Sequence, residues 1–180
     1  LIMASGLYKC DRNQLAQWLR NRPMEVNLSI TEYIDGMQAR SKTDGVDDLF
    51  SYLYLVLNKQ RFDQQIFDKW LQRKRYIYDS KPQQGREAVD REISELLNPI
   101  TEANPREDNP FYDKMKLGDL PRLYAEHFGD ASQLTGCLVG DISEAEAKRI
   151  VTTYLAALPG DPKAPRRTYT IRDHSSRERV

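Results

Sequence analysis

Side chains able to do chemistry are sparse in this chain. Its 180 residues hold two histidines, His127 and His174, and two cysteines, Cys10 and Cys137. The histidines lie far apart, and neither belongs to a pair at metal-ligand spacing. A zinc site would have to combine one of them with carboxylates or a cysteine. No serine–histidine–acid constellation can be argued from two isolated histidines. Two cysteines exclude a disulfide-dense scaffold and a four-cysteine zinc site, and leave open whether they pair. Cys137 sits between Gly136 and Leu138 in an apolar run, which reads as a small buried residue. His127 falls near the end of an amphipathic stretch, where an imidazole can interact with a helix C-terminus.

Two charged clusters complete the candidates. Lys69, Arg73, Lys74 and Arg75, followed by Tyr76, Tyr78 and Lys81, interleave basic and aromatic residues, as a nucleic-acid platform does. The competing reading is the solvated side of a helix whose other side is Phe62, Ile66, Trp70 and Leu71. Asp63, Asp68 and Asp79 dilute the field, which favours that reading. Glu87, Glu92 and Glu95 could supply paired carboxylates for acid–base work. Arg86, Asp90 and Arg91 among them suggest a surface network instead. Gly140-Asp141 lies between an apolar run and a helix start, as in phosphate loops, but lacks their glycine spacing and lysine.

The elements that must position these groups follow from periodicity. Asp11 and Gln14 form a near capping box for a helix carrying Leu15, Trp18 and Leu19, closed by Pro23. Val26, Leu28 and Ile30 alternate with polar residues, Asp35-Gly36 signals a hairpin turn, and Met37, Ala39 and Ser41 continue on a return strand. From about Val46, Leu49, Phe50, Leu53, Tyr54, Val56 and Leu57 recur at helical spacing. A second helix carries Phe62, Ile66, Phe67, Trp70 and Leu71. A third carries Val89, Ile93, Leu96 and Leu97, and Thr101 to Pro110 reads as a loop. Leu117, Leu120, Leu123, Tyr124 and Phe128 mark another helix, with Pro121 tolerated in its first turn. Leu134 to Val139 reads as a compact strand. Ser143 and Glu146 cap a final helix buried through Ala147, Ile150, Val151, Tyr154, Leu155 and Leu158. Thr168 to Arg172 could form a last strand.

Composition narrows the function classes. Lys and Arg total 27 against 27 Asp and Glu, a balance that argues against binding polyanions through a basic field. No apolar run approaches the roughly 20 residues of a membrane helix. Leu1 is not an initiator methionine and no signal peptide is present, so the chain reads as an excerpt of a longer protein.

One segment is distinctive. Leu134-Thr-Gly-Cys-Leu-Val-Gly-Asp141, running through Ile142-Ser143-Glu144-Ala145-Glu146-Ala147 to Tyr154-Leu155-Ala156-Ala157-Leu158-Pro159, resembles the strand–Gly-Asp–helix–YLxxLP segment of the insulinase/pitrilysin family of zinc metallopeptidases. Gly6, Asp11 and Gln14-Leu15 resemble the family's glycine and following helix, Val26 to Ser41 its hairpin, and Phe62-Asp63 to Tyr78 its long helix. The resemblance implies an α+β fold: a mixed, largely antiparallel sheet with helices on one face, here lacking its first strands. It implies a homology domain over 1–160, with 161–180 a linker or the start of the next segment.

Catalytic members use HxxEH on a helix, two histidines binding zinc while the glutamate serves as general base. Aligned through Gly6, the second histidine falls at Leu1, and residues 33–86 contain no Glu to serve as the downstream ligand. The resemblance therefore implies a non-catalytic domain, with no catalytic or metal-binding residues of its own and unknown substrate-binding residues. It would form the wall and peptide contacts of a chamber opposite a catalytic half, on the same chain or a partner chain, and zinc would belong to that half. Its expected partners are that half and peptide substrate, with no nucleic acid and no membrane span. The parent is expected to be bacterial, periplasmic or exported. The alternatives are a catalytically dead assembly module of the same superfamily and, from another class, nucleic-acid binding through Lys69, Arg73, Lys74 and Arg75.

Overall fold

A computed structural model of the protein describes residues 4–31, 35–80, 85–97 and 108–165, without the side chain of Glu87. The elements run α1 (Arg12–Arg20), β1 (Met24–Ile30), β2 (Asp35–Ser41), α2 (Val46–Asn58), α3 (Gln64–Asp79), α4 (Arg86–Leu97), α5 (Asn109–Asp113), α6 (Leu120–Phe128) and α7 (Glu144–Ile150). Helix dominates, and the sheet among the described residues is one antiparallel pair.

Local chemistry sets several boundaries. Asp11 Oδ1 accepts from the amides of Asn13 and Gln14, while Gln14 Oε1 accepts from Asp11 N at 2.9 Å, a reciprocal box that satisfies otherwise orphaned donors of α1. Just upstream, Gly6 has φ +91, and a Cβ there would lie 2.4 Å from Cys10 O. Only glycine fits that approach, which lets Leu7 and Cys10 exchange two main-chain bonds of 2.9 Å. Ser143 caps α7 through the Glu146 amide. Past Ile150 the helix widens to a π turn over Val151–Leu155, closed by a bond from Ala156 N to Val151 O.

Helix α2 is the hub of packing. Val56, wholly buried, joins Leu7, Leu15 and Tyr52 on one side, with Trp18 packed against them. Leu49, Phe50 and Leu53 meet the equally buried Ile150 of α7. Leu57 meets Tyr124 and Phe128 of α6. The hairpin lays Met24, Val26, Leu28, Met37 and Ala39 against these groups. A separate cluster, Phe67, Leu71 and Tyr112, joins α3 to α5.

The structure corrects several expectations. Asp35 and Gly36 are not the hairpin turn: they open β2, opposite Ile30 and Ser29. Leu134–Val139 is not a strand of a sheet, because no neighbouring strand is present among the described residues to complete a ladder. Cys137 is accordingly exposed rather than buried. The α4 apolar side is exposed at Val89, Ile93, Leu96 and Leu97, and Val151, the first residue of the π turn, is exposed too. Asn109 and Pro110 lie in a helix, capped by Asp108 through Phe111 N, since proline suits a first turn. His174, Lys81, most of the Thr101–Pro110 loop and the Thr168–Arg172 strand fall outside the described residues.

Candidate functional site

The basic cluster lies on α3, with Lys69 and Arg73 exposed and the charges of Lys74 and Arg75 engaged. Arg75 Nη2 donates to Asp113 Oδ1 at 2.6 Å. Lys74 Nζ stands over the rings of Trp70 and Tyr112, at 5.7 and 5.9 Å. A shallow cavity of about 520 Å³ along α3 is lined by Asp68, Leu71, Gln72, Arg75, Tyr76 and Asp79. Its mixed charge gives no continuous basic track for a phosphate backbone. On α4, Arg86 and Asp90 form a loose pair at 3.8 Å. Glu92 is exposed and Glu95 half-buried on the same helix, and neither lies in the enclosure that an acid–base pair requires.

His127 is a connector. Its Nδ1 lies 2.7 Å from Asp35 Oδ2, tying the end of α6 to the start of β2 across 92 residues. Such a contact uses the imidazole N–H as donor to a carboxylate. Among the described residues no group of three or more His, Cys, Asp or Glu is placed to hold a metal ion. Cys10 and Cys137 are both free thiols. Gly140-Asp141 precedes α7, a helix of seven residues, with no lysine beside it.

Two polar knots instead fix the elements around α7. Arg149 Nη2 reaches Asp47 Oδ2 at 2.6 Å and Glu146 Oε1 at 2.7 Å, while Tyr154 OH donates to Asp47 Oδ1 at 3.0 Å. The Arg149 hydrogen bond holds the Asp47 carboxyl below its ordinary range, and the same contact lowers Glu146. Asp130 Oδ1 accepts from Ser132 Oγ, Ser132 N and Asp161 N, which lowers its pKa, the Ser132 hydroxyl first. This clasp brings the Leu158-Pro159-Gly160 turn onto the residues after α6. A Cβ on Gly160 would stand 2.9 Å from Ser132 N, so the close approach requires glycine. The resemblance motif thus owes part of its residues to packing.

The remaining candidate surface is the outer side of the hairpin. Because strand side chains alternate, packing Met24, Val26 and Leu28 inward turns Glu25, Asn27 and Ser29 out. Their partners in register are Arg40, Gln38 and Gly36. Asn27 Nδ2 donates to Glu25 Oε1 at 2.7 Å. This surface carries hydrogen-bond donors, acceptors and both charges. The alternation that located β1 already contained these residues, and reading its polar half as a surface would have found them.

No family model matches the sequence, and no curated protein matches it. Solved structures do. The inactive domain of an M16 peptidase from Pseudomonas fluorescens superposes with a TM-score of 0.70 at 17% identity, over 93% of this chain and 40% of that one. The chain is similar in fold to M16 peptidase domains. The periplasmic protease PqqL from Escherichia coli gives a TM-score of 0.74 at 12% identity over 92% of this chain. A variant of the ferredoxin protease FusC, in complex with Arabidopsis ferredoxin, gives 0.69 at 12% identity over 89%. The chain spans only 18% of each of those two proteases. M16 peptidases are the insulinase-like peptidases, so the fold agrees with the resemblance seen in the sequence. Among the described residues no helix is long and apolar enough to cross a membrane.

Proposed function

We propose that residues 1–160 form a non-catalytic domain of an insulinase-type peptidase, with 161–180 leading toward the next segment. In this reading the domain works opposite a catalytic half that carries the zinc, forming part of the wall of a chamber for extended peptides. The observation that carries it is likeness to an inactive M16 domain over 93% of the chain, joined to a sequence without HxxEH. The outer side of the hairpin supplies the peptide contact. Glu25, Asn27, Ser29, Gln38 and Arg40 can hydrogen-bond main-chain groups of varied sequences, as a wall that does not choose cleavage sites requires.

The test uses the purified chain. It should hold no stoichiometric zinc by elemental analysis after incubation with zinc chloride and dialysis, and should leave an internally quenched peptide uncut. Reduced, carboxymethylated lactalbumin should bind weakly, and Asn27→Ala with Arg40→Ala should weaken that binding further. One tightly held zinc per chain would overturn the non-catalytic role. Binding indifferent to the double substitution would overturn the assignment to the hairpin.

A further inference from the structure

Among the described residues, Tyr8 alone of the non-glycines has a positive φ, +52. A side chain in that region crowds its own backbone, so glycine or asparagine is the usual occupant. Main-chain bonds hold it there: Tyr8 N donates to Lys59 O, and Leu7 and Cys10 exchange two bonds, all of 2.9 Å. Burial gives the ring little in compensation, since Tyr8 is 51% exposed. Backbone held in a sparsely populated region beneath an exposed aromatic points to a use other than folding.

Cations surround that ring. Leu7 and Gln60 form an antiparallel bridge; Leu7 is buried, and Gln60 Nε2 donates to Val56 O at 2.6 Å. The neighbouring pair, Tyr8 and Lys59, is exposed, and alternation along 59–61 sets Arg61 on the Lys59 side. Lys9 Nζ stands 5.4 Å from the Tyr8 ring centre. Arg12 opens α1, its main-chain N 3.0 Å from where a Gly6 Cβ would lie. Lys9, Arg12 and Lys59 are exposed and pair with no carboxylate among the described residues. Arg61 holds Asp63 only loosely, at 3.6 Å. The nearby carboxylates have other work: Asp11 caps α1, and Asp63 caps α3 through Ile66 N.

We propose that Tyr8, Lys9, Arg12, Lys59 and Arg61 form a docking surface for an acidic, extended segment of a partner protein. The cations sit at separate points on two hydrogen-bonded segments, which suits carboxylates spaced along an extended chain. The Tyr8 hydroxyl adds a donor, and its ring an apolar contact beside them. Nucleic acid fits less well, because Asp11 and Asp63 interrupt the track that a phosphate backbone would follow. The chain has a formal net charge of +0, so the attraction is local and sensitive to salt. This surface uses none of the hairpin residues, and it stands whether or not the domain belongs to a peptidase.

Fluorescence anisotropy on the whole chain tests it, with a labelled peptide of alternating glutamate and glycine as the probe. At low ionic strength this peptide should bind roughly tenfold tighter than its glutamine counterpart, and lose that margin as salt rises. Arg12→Glu with Lys59→Glu should abolish the margin, and because both positions are exposed the thermal midpoint should hold. Tyr8→Gly suits the backbone angle, so the midpoint should again hold while affinity for the glutamate peptide falls about threefold. Equal binding of the two peptides would overturn the acidic partner. A margin untouched by the double reversal would overturn the surface, and unchanged affinity in Tyr8→Gly would overturn the part given to the tyrosine. A single-stranded oligonucleotide binding more tightly than the glutamate peptide would assign the cations to nucleic acid and overturn the proposal.

Discussion

The body around α2 and the arm formed by α3, α4 and α5 are built from similar amphipathic helices, yet they are finished differently. In the body, every apolar side of α2 is met by another element, and Val56 and Ile150 are wholly buried. Polar knots close its seams: Arg22 bonds Asp48 at 2.8 Å, Arg149 joins Asp47, and His127 joins Asp35. In the arm, Phe67, Leu71 and Tyr112 make one small cluster, while Leu96 and Leu97 on α4 remain 69% exposed. Amphipathic pattern identifies a helix equally well in both places. Burial needs a second surface, and the pattern does not say whether one exists.

The sharpest way to break this contrast is at Ile150. Ile150→Ala removes a fully buried side chain between α2 and α7, and such truncations cost about 2–5 kcal/mol. Urea unfolding should show a loss in that range with an unchanged denaturant slope. A loss below about 1 kcal/mol would mean that α7 is not part of the body.

How far these features could be read in advance depends on whether the cause is local. The α1 capping box, the alternation of the hairpin strands and the α2 stripe were legible because each is decided within a few residues by hydrogen bonding or periodicity. The Asp35-Gly36 turn was misplaced because a two-residue turn signal competes with strand extension, and pairing with Ser29 and Ile30 won. Leu134–Val139 looks like a strand by composition, but a strand exists only with a partner, which no local pattern supplies. Asp35 and His127, or Asp130 and Asp161, meet through the tertiary fold and carry no signal in spacing. The polar half of β1 was visible as alternation, while its use as a surface emerged only when the inner half was seen packed.

A smaller effect is expected where α6 meets α2. Tyr124 OH donates to Val56 O at 2.8 Å, and Gln60 Nε2 donates to the same carbonyl at 2.6 Å. Tyr124→Phe therefore removes one bond without orphaning the acceptor, costing about 1 kcal/mol. Burial pushes the Tyr124 hydroxyl up to about 12 from 10.0. The unfolded chain then releases this proton at lower pH than the native one, so its contribution is intact below pH 10 and lost as pH rises toward 12. Unfolding free energies across that window should fall less steeply in the variant. Equal slopes would place Tyr124 in contact with water.

At Asp47 the sign reverses. Its native pKa is lowered by Arg149, so the stabilisation is present above the ordinary 3.8 and is lost as pH falls through the depressed native value. The pair is solvent-exposed, with side chains 44% and 55% accessible, and such pairs contribute no more than about 1 kcal/mol. Asp47→Asn should lower stability at pH 7 by less than that and flatten the acid limb below pH 4. An acid limb unchanged by the substitution would show that the knot contributes geometry without stability.

The smallest effect belongs to the arm and tests the contrast from its other side. Leu96→Lys places a charge on the apolar side of α4. On a side exposed to water, such a change shifts stability by about 0.5 kcal/mol or less, and lysine preserves helix propensity. The thermal midpoint of this chain should stay nearly fixed, as should its far-ultraviolet circular dichroism. A loss comparable to that of Ile150→Ala would show that the arm is finished like the body, with α4 covered by another surface in solution. Because the change is read on the same chain and by the same unfolding assay as Ile150→Ala, the ratio of the two losses measures directly how unequal the two regions are.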